Sequence, residues 1–346
     1  MNKKWDYDVP SVEIWKECFR VLKPGGYLLS FAGTRTQHRM ACNIEDAGFE
    51  IRDMIAWVYG SGFPKSLNIG KAVDALQGNE RAIIGIDQNA ERFKKYKEQD
   101  GCTRKSFNNK LTKGNSEYEG WGTALKPALE PITVARKPLS EKTVAENVLK
   151  YGTGGINIDG CRVESLPGEY DIRHYQNEDC FQNKTEKKSQ FQVKPQPSGR
   201  FPANFIHDGS DEVVEWFPES SGGAFPKESN KSDFFKGIGA IADERKNMVD
   251  KGSAARFFYC AKATKKERGE SNNHPTVKPV DLMRYLVRLV TPKGGICCDP
   301  FAGSGTTGVA CIEEGFDYIL IEQEKENIDI INDRLKEISQ QGRLFQ

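Results

Sequence analysis

Apolar positions along the chain recur with two different periods, and the alternation between them sets out most of the elements. From Ser11 to Lys23, the residues Val12, Ile14, Trp15, Cys18, Phe19, Val21 and Leu22 fall at helical spacing and gather on one face. Pro24-Gly25-Gly26 then stops the helix and turns the chain. Tyr27 to Ala32 is a short apolar run of the kind buried on both faces of a sheet. Thr34 to Ala47 reads as a helix with Gly48 as its stop, and Phe49 to Tyr59 as a strand. The first 60 residues therefore predict helix, strand, helix, strand, an α/β pattern. Residues 60–125 are rich in Gly, Asn, Lys and Glu and only weakly periodic. Glu130 to Arg136 returns as a strand and is expected to lie antiparallel to 49–59.

The middle of the chain, 140–260, is irregular, with Gly152 to Gly155, a polar stretch near 176–200, and short aromatic pieces such as Phe201-Pro202 and Trp216-Phe217-Pro218. Arg256 to Ala261 predicts one more strand. From Pro279 the α/β pattern resumes: a helix to Val290 with proline in its first turn, a strand at 296–298, a helix at 306–314, a strand at 318–321 and a last helix at 325–338. No internal repeat is present in this reading.

Composition narrows the class. Of 346 residues, 37% are apolar, which is lean but sufficient for a core, and 29% are charged. The net charge of +1 excludes a globally basic protein, so any nucleic-acid contact has to use a local patch. Between 81 and 150, Lys and Arg outnumber Asp and Glu by 14 to 9, a candidate phosphate-contacting region that reads equally as a solvated loop. Nine cysteines without a framework of spacings, and no secretory segment, point to free thiols in a reducing cytoplasm. No run of 18 apolar residues predicts a membrane span. The four histidines are scattered and Cys297 and Cys298 alternate across a strand, so no metal site is predicted.

The most informative stretch is Gly294 to Glu322. A strand ends at Asp299, a turn of Pro300-Phe301-Ala302-Gly303-Ser304-Gly305 follows, a helix opens at Thr306, and a second strand ends at Glu322. This is the layout of a nucleoside-binding βαβ unit. Glycines let the backbone approach a ligand, the helix N-terminus offers free N–H groups, and an acid after the second strand can accept from ribose hydroxyls. Gly303-x-Gly305-x-x-Gly308 also fits a dinucleotide fingerprint, which keeps a nicotinamide- or flavin-linked oxidoreductase as an alternative. Such a domain needs further strands downstream of this unit.

Asp-Pro-Phe-Ala-Gly-Ser-Gly-Thr-Thr (299–307) resembles the S-adenosylmethionine motif of DNA amino-methyltransferases, and His274-Pro275-Thr276-Val277-Lys278-Pro279 is similar to the motif that precedes it in the beta-type members. The resemblance covers nearly the whole chain. It implies an α/β, doubly wound Rossmann-like methyltransferase sheet, mostly parallel and assembled from both ends of the chain, around a long inserted recognition region. The halves it implies are 1–59 with 126–140 as an incomplete catalytic half, 60–125 as an insertion, 141–270 as target recognition and 271–346 as the cofactor half. It implies methyl transfer to adenine N6 or cytosine N4 of duplex DNA, in a modification system or a prophage. Asp299, Phe301, Gly303 and Gly305 would line the methionine end of S-adenosylmethionine, Glu322 would hold the ribose, and His274, Thr276 and Lys278 would lie beside the methionine moiety. Trp57 with Tyr59, or Phe63, would stack on a flipped base, although Trp57 reads equally as core. Arg35, after the first strand, would touch DNA or a neighbouring loop.

One family motif does not occur: no Asp-Pro-Pro-Tyr or close variant lies in the chain. In relatives it stands shortly upstream of the segment matching Lys3-Lys4-Trp5-Asp6. The expectation is therefore that a central strand next to 296–298 is missing and that two strand edges are left open. A start placed too late, a truncated copy of the gene, or a second polypeptide (or a homodimer) that completes the sheet would each account for this. A binding module that holds cofactor or DNA without catalysis is the competing functional class.

Overall fold

The computed structural model describes residues 8–62, 64, 66–86, 110–164, 199–221, 251–261 and 277–343. The elements are α1 (Val12–Val21), β1 (Tyr27–Phe31), α2 (Gln37–Asp46), β2 (Glu50–Val58), α3 (Ile69–Gln77), β3 (Ala82–Ile86), β4 (Lys110–Lys113), β5 (Leu129–Arg136), α4 (Val144–Tyr151), β6 (Phe205–His207), α5 (Asp211–Val214), β7 (Glu219–Ser221), β8 (Lys251–Ser253), β9 (Tyr259–Cys260), α6 (Val280–Val290), β10 (Ile296–Asp299), α7 (Thr306–Glu314), β11 (Asp317–Leu320) and α8 (Lys325–Arg343). They divide into two compact units: Met1–Gly60 with Leu129–Gln346, and Ser61–Ala128.

The larger unit is built on a five-stranded sheet in the order β1-β5-β2-β6-β9. β5 runs antiparallel to both β1 and β2, with Val58 opposite Leu129 and Glu50 opposite Arg136. β2, β6 and β9 are parallel to one another. From Pro131 to Arg136 every residue of β5 is buried, because successive side chains enter cores on opposite faces of the sheet. Ile132 and Val134 face one core with Ile55, Ile206, Leu282, Tyr285 and Leu286. Ala135 faces a second core with Trp15, Met40, Ile44 and Phe49 from α1, α2 and the start of β2. The sheet is thus covered by α1 and α2 on one face and by α6 on the other.

The cofactor-type unit forms a separate parallel pair, β10–β11, in register Ile296–Asp317 to Asp299–Leu320. Among the described residues, β1 and β10 each keep one edge without a strand partner. Ile296, on the strand expected to lie next to the absent one, is 61% exposed.

Helix α6 joins the two sheets. One side packs into the first core through Leu282, Tyr285, Leu286 and Leu289. Another side packs Val287 against Ala310 and Cys311 of α7, with Met283, Cys297 and Phe316 alongside. Arg288 and Arg284 of α6 converge on Glu314 at the end of α7: Arg288 Nε donates to Glu314 Oε2 at 2.6 Å and Arg284 Nε to Oε1 at 2.8 Å. Elsewhere, buried Asn147 of α4 donates to the carbonyls of Pro24 and Thr153 at 2.9 and 2.8 Å and accepts from the Ser140 N–H. These bonds pin the turn before β1 to the loop after α4.

Three expectations change in the structure. The predicted strand at 256–261 pairs only at Tyr259–Cys260, because Ala254–Phe257 coils as a 3-10 turn. There the Ser253 hydroxyl accepts from the Ala255 N–H, and Arg256 curls back to the Gly252 and Ser253 carbonyls. The last strand ends at Leu320 rather than at Glu322, although the Ile321 N–H still donates to the Asp299 carbonyl at 2.9 Å. The weakly periodic 60–125 region contains order: in the Ser61–Ala128 unit, α3 is capped by Asn68, and β3 and β4 form a hairpin. Arg81 is buried there, bidentate on Glu119 at 2.7 and 2.9 Å and paired with Asp74. No helix among the described residues is long and apolar enough to cross a membrane.

The Glu314 cluster yields a pH-dependent prediction. Hydrogen bonds from Arg288, and then from Arg284, hold the Glu314 carboxyl below its ordinary range against the opposing effect of burial. A carboxyl lowered on folding stabilises the protein above its unfolded pKa, and that contribution is lost as pH falls through the folded value. Glu314→Gln is expected to cost about 1–3 kcal/mol at pH 7, allowing for partial exposure. Urea unfolding should show the gap between wild type and variant closing as pH falls below about 4.5.

Candidate cofactor and catalytic site

Strand β10 delivers Asp299 to the glycine-rich turn, and the turn is held by its own backbone. The Asp299 carboxylate accepts from the Phe301 N–H at 3.0 Å and from the Thr307 hydroxyl on the first turn of α7. The Ala302 N–H donates to the Ile321 carbonyl, which carries the β10–β11 pairing into the loop. One residue on, the Gly303 N–H donates to Glu322 Oε2 at 2.8 Å, while Glu322 Oε1 accepts from the Glu324 N–H. The acids at the ends of the two parallel strands are thereby tied to one turn.

Glycine is required at one position here and packs closely at another. Gly305, at the N-cap of α7, sits at φ +78°, and a β-carbon on it would come 2.9 Å from Ile331 of α8. A β-carbon on Gly308 would come 2.7 Å from Leu320 Cδ1, so the helix lies against its own strand. With glycine as the cap, no side chain occupies the N-terminus of α7, and its first N–H groups and positive dipole end are available to an anion. Behind the turn, Arg334 of α8 donates to the Ser304 carbonyl at 2.6 Å and to the Ser304 and Thr306 hydroxyls. A cleft of about 410 Å³ opens beside Glu322, walled by Leu320, Ile321, Ile328 and Ile331 with Asn332 at its side. Phe301 is 52% exposed and meets Trp15 of α1 edge-on at 6.1 Å.

Asp299, Phe301, Gly303, Gly305 and Glu322 are therefore brought together. Lys278 belongs to a different cluster. Its ammonium is paired with Glu130 and stands over the rings of Phe31 at 4.8 Å and Trp57 at 5.4 Å. His274, Thr276 and Phe63 lie outside the described residues. Trp57, read from the sequence as a base platform or core, is core: it is 8% exposed among Ile55, Ile132 and Leu282. A ring buried that far has no free face for a base. Tyr59 is half-buried and tilted against Trp57 at 5.0 Å. Burial, with the Glu130 charge second, pushes its phenol up from the usual range, so it is a neutral donor. Arg35 is exposed in the turn after β1. Sequence reading missed Glu130, which stands inside a strand with no motif around it, and Arg334, which is one of several charges on an amphipathic helix.

The sequence profile of the N6_N4_Mtase family, described as DNA methylase, matches residues 3–333. The chain belongs to this DNA methylase family. Among curated relatives, it is 24% identical over 327 residues to the type II methyltransferase M.HindIII of Haemophilus influenzae, covering 94% of this chain and 68% of that one. It is 36% identical over 94 residues to the type II methyltransferase M2.DpnII of Streptococcus pneumoniae, which is 27% of this chain and 35% of the relative. The match thus spans about a third of M2.DpnII's length. Among solved structures, the crystal structure of the M1.HpyAVI–SAM complex aligns with 94% of this chain and 81% of its own at 17% identity, with a TM-score of 0.39.

The turn geometry gives a direct test. Gly305→Ala should place a side chain in the left-handed region and against Ile331, costing about 2 kcal/mol or more in urea unfolding. An unchanged midpoint would show that the turn is looser than described.

Proposed function

We propose that the protein is a DNA methyltransferase that uses S-adenosylmethionine to methylate the exocyclic amine of a base, N6 of adenine or N4 of cytosine, at a short site in duplex DNA. The observation that carries this reading is the pair of acids, Asp299 and Glu322, tied to a glycine-rich turn at the uncapped N-terminus of α7. The donor set fits such a cofactor. The Asp299 carboxylate suits an amino-acid ammonium, the α7 N–H groups suit its carboxylate, and Glu322 keeps lone pairs for ribose hydroxyls. When bound, the cofactor supplies an electrophilic methyl group on a sulfonium.

The chain's own part is to hold the reactants and exclude water. Phe301 and Trp15 offer an apolar edge beside the turn. The target base has to leave the duplex to reach it, and Tyr59 stays a candidate to meet that base, as does Phe63, outside the described residues. The amine also needs an acceptor that turns its lone pair toward the methyl group. The Asp-Pro-Pro-Tyr motif that would do this is not among these 346 residues. We infer that transfer uses a strand bearing such a motif beside β10, where β1 and β10 keep open edges among the described residues. The likeness to type II methyltransferases supports a role in DNA modification, and the free thiols support a cytoplasmic setting.

Transfer of tritiated methyl groups from S-adenosylmethionine into mixed-sequence duplex DNA tests the proposal. A form extended upstream through the reading frame should label N6-methyladenine or N4-methylcytosine, with the 346-residue chain at least about a hundredfold slower. Label on cytosine C5, or none with either form, would contradict it.

A further inference from the structure

Lys278 belongs to the motif whose resemblance implies a place beside the cofactor, yet its ammonium is spoken for. It pairs with Glu130 Oε2, and both side chains are largely buried, at 23% and 26% exposure. It also stands over the faces of Phe31 and Trp57. These three partners come from three neighbouring strands: Phe31 closes β1, Glu130 lies near the start of β5, and Trp57 lies near the end of β2, directly opposite Glu130. A cation held by one carboxylate and two ring faces has little left to offer a ligand. Pro279, the next residue, is the N-cap of α6. Where the ammonium is fixed, the entry to α6 is fixed with it.

We propose that Lys278 is a clamp rather than a cofactor ligand, and that Glu130 is a positioning residue acting through it. Glu130 sets the place of Lys278 and of the entry to α6, the helix that packs against α7, whose N-terminus carries the glycine-rich turn. The inference rests on the functional reading above. Without the carboxylate, the lysine keeps its ring contacts but loses the partner that fixes its position along them.

Calorimetric titration of S-adenosylmethionine into the purified chain and its variants tests this. Glu130→Gln is expected to weaken binding about tenfold while the thermal midpoint stays within about 2 °C of wild type. Glu130→Asp should recover most of the affinity. Lys278→Met, which keeps an apolar stem over the rings, should show the same loss as Glu130→Gln and decides the matter if the glutamine variant fails to fold. Wild-type affinity in Glu130→Gln or in Lys278→Met overturns the clamp alone. No binding by the wild-type chain overturns the functional reading, and the clamp with it.

Discussion

The joining of the two sheets in the larger unit depends on α6 burying two sides at once. No strand hydrogen bond among the described residues connects β10–β11 to the five-stranded sheet. What holds them together is Leu282, Tyr285 and Leu286 in one core and Val287 against Ala310 and Cys311 in the other, fastened by the Arg284, Arg288 and Glu314 cluster. Burying one such side chain stabilises by roughly 1.5–3 kcal/mol, so a helix with several of them on each side can hold the two sheets together without a ladder between them. Trp15 against Phe301 adds a second, lighter link on the opposite face, through α1.

The cofactor turn keeps its shape although β10 has one edge without a strand partner among the described residues. The turn is determined locally, by Asp299 on Phe301 and Thr307, Glu322 on Gly303, and Arg334 behind Ser304. None of these bonds needs a neighbour on the free edge of β10. The acceptor side of the reaction is a different matter. A group that orients an amine has to stand on a fixed strand beside the turn, and the open edges of β1 and β10 are where such a strand is absent among the described residues.

Much of this was legible in the sequence because the signals were local. The period change at Pro24-Gly25-Gly26, the stop at Gly48 and the Gly303-x-Gly305 turn each follow from residues within a few positions, and α7 has the bounds the pattern predicts. The strand at 129–136 and its antiparallel pairing with β2 were also readable. What the pattern could not supply were contacts between distant segments. Lys278 meeting Glu130 across 148 positions carries no local mark, and neither does Arg334 reaching Ser304. Trp57 could be weighed only as platform or core until its neighbours were in place. Arg256 shows the opposite failure: Arg-Phe-Phe-Tyr reads as a strand, but the guanidinium finds carbonyls at 252 and 253 and coils the chain. The Ser61–Ala128 unit was obscured by its composition, since its buried ion cluster uses the same residue types as a solvated loop.

The central claim is that two acids on one glycine-rich turn form a site for S-adenosylmethionine. Titrating that cofactor into the wild-type chain and into Glu322→Ala, with nicotinamide dinucleotides as the control, tests it most directly. The account predicts one-to-one binding by the wild type, at least tenfold weaker binding by the variant, and no heat from the dinucleotides. Equal affinity in the two proteins, or binding of the dinucleotide alone, would contradict it.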